Sequence, residues 1–146
     1  MTRINLVDPN ELYDQHLIAE YREIRLLVAG IRRSFASARG TDKSRIPAQF
    51  TLNAGHCSFF LDKGKYIANR YQQLIAEMRA RGFNPQYLEI DTSVWPEGFF
   101  NDWEPSERDR NIVRERIALR VSERPGWYRH SGKPKKRKAN NEPMQS

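Results

Sequence analysis

A stripe of apolar residues early in the chain constrains the fold more than any other feature. Its members recur at steps of four and three, which places them on one face of an α-helix. The stripe predicts a long amphipathic helix whose apolar face belongs to the core and is not a binding surface. Asp8-Pro9-Asn10-Glu11 is a typical helix start, although the start could equally fall nearer Asp14. The stripe consists of Tyr13, Leu17, Tyr21, Ile24, Val28, Ile31 and Phe35.

Two further helices are predicted from the same kind of pattern. One runs from about His56 to Arg81, with Gly64 dividing a short first segment from a longer one and Gly82 as its C-cap. The other opens at Pro105-Ser106-Glu107 and ends at Pro125-Gly126. The inward-facing residues are Phe60, Ile67, Tyr71, Leu74, Ile75 and Met78 in the first of these, and Ile112, Val113, Ile117 and Val121 in the second.

The remaining segments carry no regular period. Residues 83–104 are rich in aromatics and contain Pro85 and Pro96, which indicates a long ordered loop packed on the core. Residues 32–45 form a basic loop that is either solvated or a phosphate contact. No repeat and no convincing strand pattern is present. The expected fold class is all-α, a compact single domain with three main helices.

The charge balance favours a polyanionic partner. The chain has 146 residues and a formal net charge of +7, although a soluble basic protein without such a partner is the alternative. Cys57 is the only cysteine, so an intrachain disulfide is excluded and a reducing compartment fits. With no apolar run of about 20 residues and no apolar signal region, a cytoplasmic or nucleoid location is expected.

The first residues suggest a nucleophile. A small residue after the initiator favours removal of Met1, which would leave Thr2 with a free α-amine. An α-amine has a pKa of about 7.7–8.0, so roughly a tenth of it is neutral and nucleophilic at pH 7. Such an amine could form an imine with a sugar carbon, and a carboxylate such as Glu23 could move protons.

One polar face of the first predicted helix has two interpretations. His16, Glu20 and Glu23 follow one another at helical spacing, apart from the apolar stripe. From spacing alone the preferred interpretation is a solvated charged face with a His16/Glu20 pair. The alternative is a catalytic face that contains Glu23.

Several motifs resemble those of a known family, in the same order along the chain. They include Thr2-Arg3-Ile4-Asn5-Leu6, Asp14-Gln15-His16-Leu17, Ala19-Glu20-Tyr21-Arg22-Glu23, Ala54-Gly55-His56, Phe59-Phe60 with Asp62-Lys63, Arg81-Gly82-Phe83-Asn84 and Trp127-Tyr128. Together they resemble the phage pyrimidine-dimer DNA glycosylases, also called the endonuclease V type of the T-even phages. The resemblance runs from Thr2 to about Lys133.

The resemblance implies a bifunctional DNA glycosylase and AP lyase that excises ultraviolet-induced pyrimidine dimers. Thr2 would be the nucleophile and Glu23 the acid/base group, with the residues after Thr2 threaded into the active face. Neither a metal nor an organic cofactor is implied, and a monomer bound to damaged duplex DNA is expected. The DNA-binding residues by resemblance are Arg3, Gln15, His16, Arg22, Arg25, Arg116, Arg120, Trp127, Tyr128 and Arg129.

Two departures from the family pattern are visible. The family often has Pro-Arg where this chain has Arg25-Leu26, which displaces or removes one DNA-contact arginine. The family's aromatic tail is commonly Tyr-Lys/Arg-Tyr-Tyr, whereas this chain has Tyr128-Arg129-His130-Ser131 and so lacks two aromatics. These departures bear on lesion preference and duplex affinity, not on the chemistry of Thr2 and Glu23.

The chain divides into a glycosylase-like domain, residues 1–132, and a basic tail, residues 133–146, for which disorder is expected from about Ser131. Lys135-Lys136-Arg137-Lys138 is interpreted as a flexible phosphate tether, with nuclear targeting in a eukaryotic host as the alternative. The adjacent His56 and Cys57 give almost no support to a zinc site. Two other functions stay open: the same scaffold acting on another damaged base, and a non-catalytic DNA-binding module.

Overall fold

The computed structural model describes residues 3–37 and 42–134. In this part of the chain the secondary structure is dominated by α1 (Asp14–Ala36), α2 (Gly64–Ala80) and α3 (Glu107–Glu123). Short 3-10 turns span Pro9–Glu11, Lys43–Arg45, Ser58–Asp62 and Thr92–Val94. A small antiparallel hairpin pairs β1 (Arg129–His130) with β2 (Lys133–Pro134). The all-α fold with three main helices is confirmed.

Both helix starts proposed near the N-terminus correspond to real elements. The Asp8 side chain accepts a hydrogen bond from the Asn10 N–H and caps the 3-10 turn, and α1 begins separately at Asp14. α1 continues to Ala36, one residue past Phe35, the last member of the predicted apolar stripe. Arg32 and Arg33 are therefore helical, and a loop beginning at Arg32 is wrong. Residues 38–41, with Arg39, lie outside the described residues.

Two glycines fix the limits of α2. A β-carbon at Gly64 would lie 2.6 Å from atoms of Trp95 and Phe100, so only glycine lets the 83–104 loop pack against the helix start. Gly82 adopts φ +89°, and the N–H of Phe83 reaches back to the Met78 carbonyl (2.9 Å), as expected at a helix C-cap. The predicted division at Gly64 is confirmed, and the segment before it is a 3-10 turn. The C-cap residue itself is Arg81, and Gly82 is the left-handed residue directly after it.

The core lies mainly between α1 and α2. Loop residues complete it: the N–H of Tyr87 donates to the Tyr21 hydroxyl (2.8 Å), and the Tyr71 hydroxyl donates to the Tyr87 carbonyl. The long loop is thus ordered, as predicted. The largest fully buried side chains include Leu17, Ile24, Phe60, Ile67, Tyr71 and Leu74.

α3 packs more lightly on this core. Ser106 and Asp109 form a reciprocal capping box at its start, and Val113 is the apolar residue of α3 that is fully buried. Arg114 joins the helix to the N-terminal region through two hydrogen bonds to the Glu11 carboxylate (3.1 and 3.0 Å). The helix therefore supplies a largely polar surface, with Ile112, Ile117 and Val121 only partly buried.

The hairpin was not predicted, because two-residue strands leave no alternating pattern to recognise. The N–H groups of Ser131 and Gly132 donate to Asp14 (2.8 and 2.7 Å), which holds the turn against the start of α1. Order therefore continues past Ser131, to Pro134. Residues 135–146 lie outside the described residues, so disorder of the tail and the proposed domain division stay predictions. Among the described helices, none is long and apolar enough to cross a membrane.

Candidate active site

Most of the predicted DNA-binding residues line one pocket of about 420 Å³, here called the basic pocket. α1 contributes one wall and α3 another, and the segment before the hairpin closes the third side. Aromatic rings and guanidinium groups thus face a common space. The pocket is lined by Gln15, His16, Ile18, Ala19, Arg22, Arg116, Arg120, Trp127 and Tyr128.

His16 is a neutral aromatic wall of this pocket. Burial, and then the charges of Arg116 and Arg120, lower its pKa from 6.5 to about 4. Its ring stacks on Tyr128 with centroids 4.8 Å apart and planes 13° apart, and its buried Nδ1 has no hydrogen-bond partner among the described residues. The ring therefore contributes shape and stacking at neutral pH, and the positive charge comes from the arginines.

Glu20 does not pair with His16, so the interpretation of a solvated face with a His16/Glu20 pair is wrong. Glu20 is fully buried and accepts hydrogen bonds from Arg70 through both carboxylate oxygens (2.8 and 3.0 Å). The Asn5 amide also donates to Glu20 (3.0 Å), and Arg70 donates to the Val7 carbonyl. The pattern of α1 alone could not show this, because every partner lies on another segment.

Glu23 lies on α1 at the edge of a second pocket of about 280 Å³, here called the Glu23 pocket. The side chain is half-buried, and Cys57 lines the same space. Burial and the nearby Glu23 carboxylate raise the pKa of the Cys57 thiol, while Arg3 acts in the opposite direction. The rest of the lining is mainly apolar, with Leu26, Leu27, Ile31 and Leu61.

The charge of Arg3 acts on one residue of each pocket. Its charge contributes to the lowered pKa of Arg116, after burial and Arg120, and it also acts on Cys57 beside Glu23. The Arg3 Nε–H donates to the Leu52 carbonyl (3.1 Å), which fixes part of the side chain. Thr2, the predicted nucleophile, lies outside the described residues, and Arg3 is the residue that directly follows it.

The structure does not bring every predicted DNA-binding residue to the basic pocket. Arg25 stacks its guanidinium over the rings of Tyr21 and Tyr87, at 4.9 and 4.3 Å, and its buried Nε has no hydrogen-bond partner among the described residues. Leu26, the next residue, lines the Glu23 pocket and is 65% exposed, whereas Arg25 lines neither pocket. The Arg129 side chain is exposed beside the pocket. DNA binding by Arg25 and Arg129 stays a prediction.

Sequence reasoning missed the residues that hold the aromatic segment in place. The Gln15 amide donates to the Trp127 carbonyl (2.8 Å), and its oxygen accepts from the Arg129 N–H (3.0 Å). Asp14 accepts hydrogen bonds both from the hairpin turn and from Arg81. Burial raises the pKa of the Asp14 carboxyl, but the hydrogen bonds from the Gly132 N–H, Arg81 and the Ser131 N–H outweigh burial, so the pKa is lowered overall. An aspartate at a helix start is expected as a helix cap. The sequence therefore held no signal that Asp14 would bind the distant hairpin turn and Arg81.

No group of three or more His, Cys, Asp or Glu side chains in residues 3–37 and 42–134 is arranged to hold a metal ion. His56 and Cys57 are not joined by further candidate ligands there. His56 instead binds backbone groups on both ring nitrogens.

Comparison with known families gives the decisive observation. The sequence model of a family described as pyrimidine dimer DNA glycosylase matches residues 1–91. The chain belongs to this family. It is therefore an enzyme of the DNA glycosylase type, and its substrate is DNA. The family match includes Thr2, Arg3, Arg22 and Glu23, together with the whole of α1 and α2.

α3 and the aromatic segment lie beyond the residues matched by the glycosylase family. Arg116, Arg120, Trp127 and Tyr128 are connected to the matched region by geometry, since they line the same pocket as Gln15, His16 and Arg22. Their association with the matched residues is thus a property of the folded chain.

Proposed function

We propose that this glycosylase excises ultraviolet-induced pyrimidine dimers and then cuts the strand as an AP lyase, with Thr2 as nucleophile and Glu23 as acid/base group. The observation that carries the proposal is that Arg22 and Glu23 are neighbours on α1, where Arg22 lines the basic pocket and Glu23 lines the Glu23 pocket. A basic pocket suited to a phosphate backbone lies on one side, and a half-buried carboxylate on the other. Arg3, the residue next to Thr2, acts electrostatically on Arg116 in the first pocket and on Cys57 in the second.

Binding begins with sequence-independent attraction between the arginines and DNA phosphates. Arg22, Arg116 and Arg120 then hold the backbone at the lesion, where a damaged step is cheaper to kink and open. An extruded base would stack on the aromatic walls formed by Trp127 and Tyr128. The resemblance implies that this is the base opposite the dimer.

Chemistry follows at C1′ of the 5′ nucleotide of the dimer. The neutral Thr2 amine attacks C1′, and the glycosyl bond breaks with its electron pair on the departing base, which takes up a proton. Loss of the amine proton and opening of the sugar ring leave an imine. The Glu23 carboxylate stabilises the cationic sugar during this step.

The imine then acts as the electron sink for strand cutting. Glu23 removes a proton from C2′, the electrons move towards the imine nitrogen, and the bond from C3′ to its phosphate oxygen breaks by β-elimination. Water finally hydrolyses the imine and returns the free Thr2 amine. No group beyond the chain and water enters this sequence.

The proposal is tested by mass spectrometry and by borohydride trapping on three duplexes, carrying one thymine dimer, one abasic site or no lesion. We expect Met1 to be absent from the active protein. We also expect a covalent adduct on Thr2 with the dimer and abasic duplexes only.

Three results would contradict the proposal. Active protein that retains Met1, or an adduct that maps to a lysine, removes Thr2 from the mechanism. Trapping and cutting of the abasic duplex without the dimer duplex would reject dimer specificity and favour the same scaffold acting on another lesion.

A further inference from the structure

The residues that follow Thr2 are fixed by polar contacts from several parts of the fold. Ile4 and Asn5 are each 1% exposed, although they lie almost at the start of the chain. Terminal residues of a domain are usually mobile unless they are tied down. Here His56 binds the backbone of Ile4, Glu20 binds the Asn5 side chain, and Arg70 binds the Val7 carbonyl.

His56 holds the backbone at Ile4, two residues after Thr2. The Ile4 N–H donates to Nε2 of His56 (3.1 Å), and Nδ1 of the same ring lies 2.8 Å from the Thr51 carbonyl oxygen. A backbone N–H can only donate and a carbonyl can only accept. The ring is therefore the neutral tautomer, with its proton on Nδ1 and a free lone pair on Nε2 directed at Ile4.

The surroundings of His56 keep it in that form. The ring is 5% exposed and lies edge-on to Phe50 and Phe60, with centroids 5.5 Å away in both cases. Burial lowers the pKa of His56 to about 4; the bond to Thr51 opposes this, and the charges of Arg3 and Arg116 add to it. At neutral pH the ring is a permanent acceptor for the Ile4 N–H.

The loop that carries His56 also holds Arg3, the residue before Ile4. The Leu52 carbonyl accepts from Arg3 Nε (3.1 Å), so residues 51–56 contact two consecutive residues after Thr2, one by its side chain and one by its backbone. The loop shape depends on the same ring, since His56 Nδ1 bonds the Thr51 carbonyl. One imidazole thus couples the loop to the backbone near the proposed nucleophile.

We propose that His56 is a positioning residue for the glycosylase and lyase reaction. By fixing the backbone at Ile4, it sets where the Thr2 amine is presented relative to the sugar and to Glu23. This rests on the proposed function, in which Thr2 is the nucleophile. A misplacement of about 1 Å at a nucleophile can lower a rate by about 10²-fold. His56 touches neither substrate nor reacting atoms and acts only through residues 3–4.

The test compares His56→Phe with His56→Gln in the full chain. Phenylalanine fills the ring volume between Phe50 and Phe60 but offers no acceptor, whereas the glutamine amide oxygen can accept from Ile4. Borohydride trapping of an abasic duplex is measured at saturating enzyme, in single turnover. In this reaction the Thr2 amine adds to C1′ of the aldehyde, water leaves, and hydride from borohydride reduces the imine to an amine. Affinity for a duplex with an uncleavable tetrahydrofuran site and the thermal midpoint are measured in parallel.

We expect His56→Phe to lower the trapping rate by about 10²-fold, with affinity for the tetrahydrofuran duplex changed less than about threefold. His56→Gln should be trapped at least about tenfold faster than His56→Phe. The control Gln72→Leu removes a side-chain hydrogen bond to the Leu88 carbonyl from an exposed position on α2 and should leave the rate unchanged. A merely structural His56 would lower the thermal midpoint and leave the rate per folded molecule intact.

The outcomes distinguish failure of the proposed function from failure of the assignment of His56. If the wild-type protein forms no adduct on Thr2, the proposed function fails and this inference fails with it. If the wild-type protein traps and folded His56→Phe traps equally fast, only the assignment of His56 is overturned. Should His56→Phe not fold, His56→Asn replaces it, because its shorter amide cannot reach Ile4, and the same comparison of rates applies.

Discussion

At the scale of single residues, two carboxylates of α1 show how environment separates otherwise similar groups. Glu20 is fully buried, and its oxygens are occupied by Arg70 and Asn5. Glu23, three residues later, is half-buried at the edge of a pocket and has no ion pair among the described residues. Glu20 thus serves the fold, whereas Glu23 is the carboxylate that the proposed function assigns to the substrate.

Replacement of Glu23 by glutamine keeps its size and removes its charge. We expect single-turnover cutting of a dimer duplex to fall by at least about 10²-fold, a usual scale for loss of an acid/base group, while dimer binding survives. The matched control is Glu123→Gln, an exposed position on α3, which should cut normally. Near-normal cutting by Glu23→Gln would remove this residue from the mechanism.

Arg22 faces the basic pocket one residue before Glu23. Counterion release predicts that loss of one phosphate contact makes the log–log salt dependence of binding shallower by about 0.9. Arg22→Ala should show this change and should also weaken binding to a dimer duplex at low salt. Arg79→Ala removes the same charge from an exposed position on α2 and should leave the slope unchanged. Equal slopes for both variants would remove Arg22 from the interface.

At the scale of elements, α1 organises the molecule because it contacts α2, the N-terminal segment and the segment around the hairpin. Its buried stripe packs on α2, Glu20 holds residue 5 and α2, and Gln15 and Asp14 hold the segment around the hairpin. Each polar contact joins α1 to a segment far away in sequence. Loss of one contact should therefore displace a whole wall of the site.

The Glu20–Arg70 ion pair gives a direct test of this coupling. Breaking a buried pair leaves one charge uncompensated, so Glu20→Ala and Arg70→Ala should each lower the free energy of unfolding by about 3–5 kcal/mol. Glu20→Leu combined with Arg70→Met removes both charges and should cost clearly less than the two single changes together. Urea unfolding at pH 7 measures all three. Single changes that cost less than about 1 kcal/mol would show that the pair is not a structural anchor.

At the scale of the whole molecule, two buried neutral histidines make stability depend on pH. Burial is the main reason that the pKa of His16 and of His56 falls from 6.5 to about 4. Between these values the unfolded chain binds more protons than the folded one, so folding stability decreases as pH falls from about 6.5 towards 4. Each histidine contributes a slope of up to about 1.4 kcal/mol per pH unit.

Urea unfolding at pH 7, 6, 5 and 4.5 should therefore show a steady loss of stability. The double variant His16→Gln, His56→Gln should be less stable at pH 7 but much flatter across this range, because it lacks both titrating groups. A wild-type stability that is constant or rises on acidification would contradict the buried neutral histidines.

The sequence by itself determined the helices, their caps and the chemistry proposed for Thr2 and Glu23. Apolar spacing and the glycine at position 82 act through neighbours within a few residues, so they can be recognised without the fold. The reason for glycine at position 64 is tertiary, because a β-carbon there would clash with Trp95 and Phe100. Family motifs likewise identified the glycosylase, since the match covers residues 1–91. The hairpin was missed because its two-residue strands leave no local pattern. The last turn of α1 was assigned to a loop from the basic composition of residues 32–45, although the apolar stripe reaches Phe35.

Tertiary structure alone decided which polar residues are partners. Ile4 and His56 are 52 positions apart, Glu20 and Arg70 are 50 apart, and Gln15 and Trp127 are 112 apart. The spacing of a charged residue on a helix is the same whether its side chain is solvated or is paired with a buried guanidinium group. The energy of a buried charge depends on its partner and its burial, and both exist only once the elements have packed.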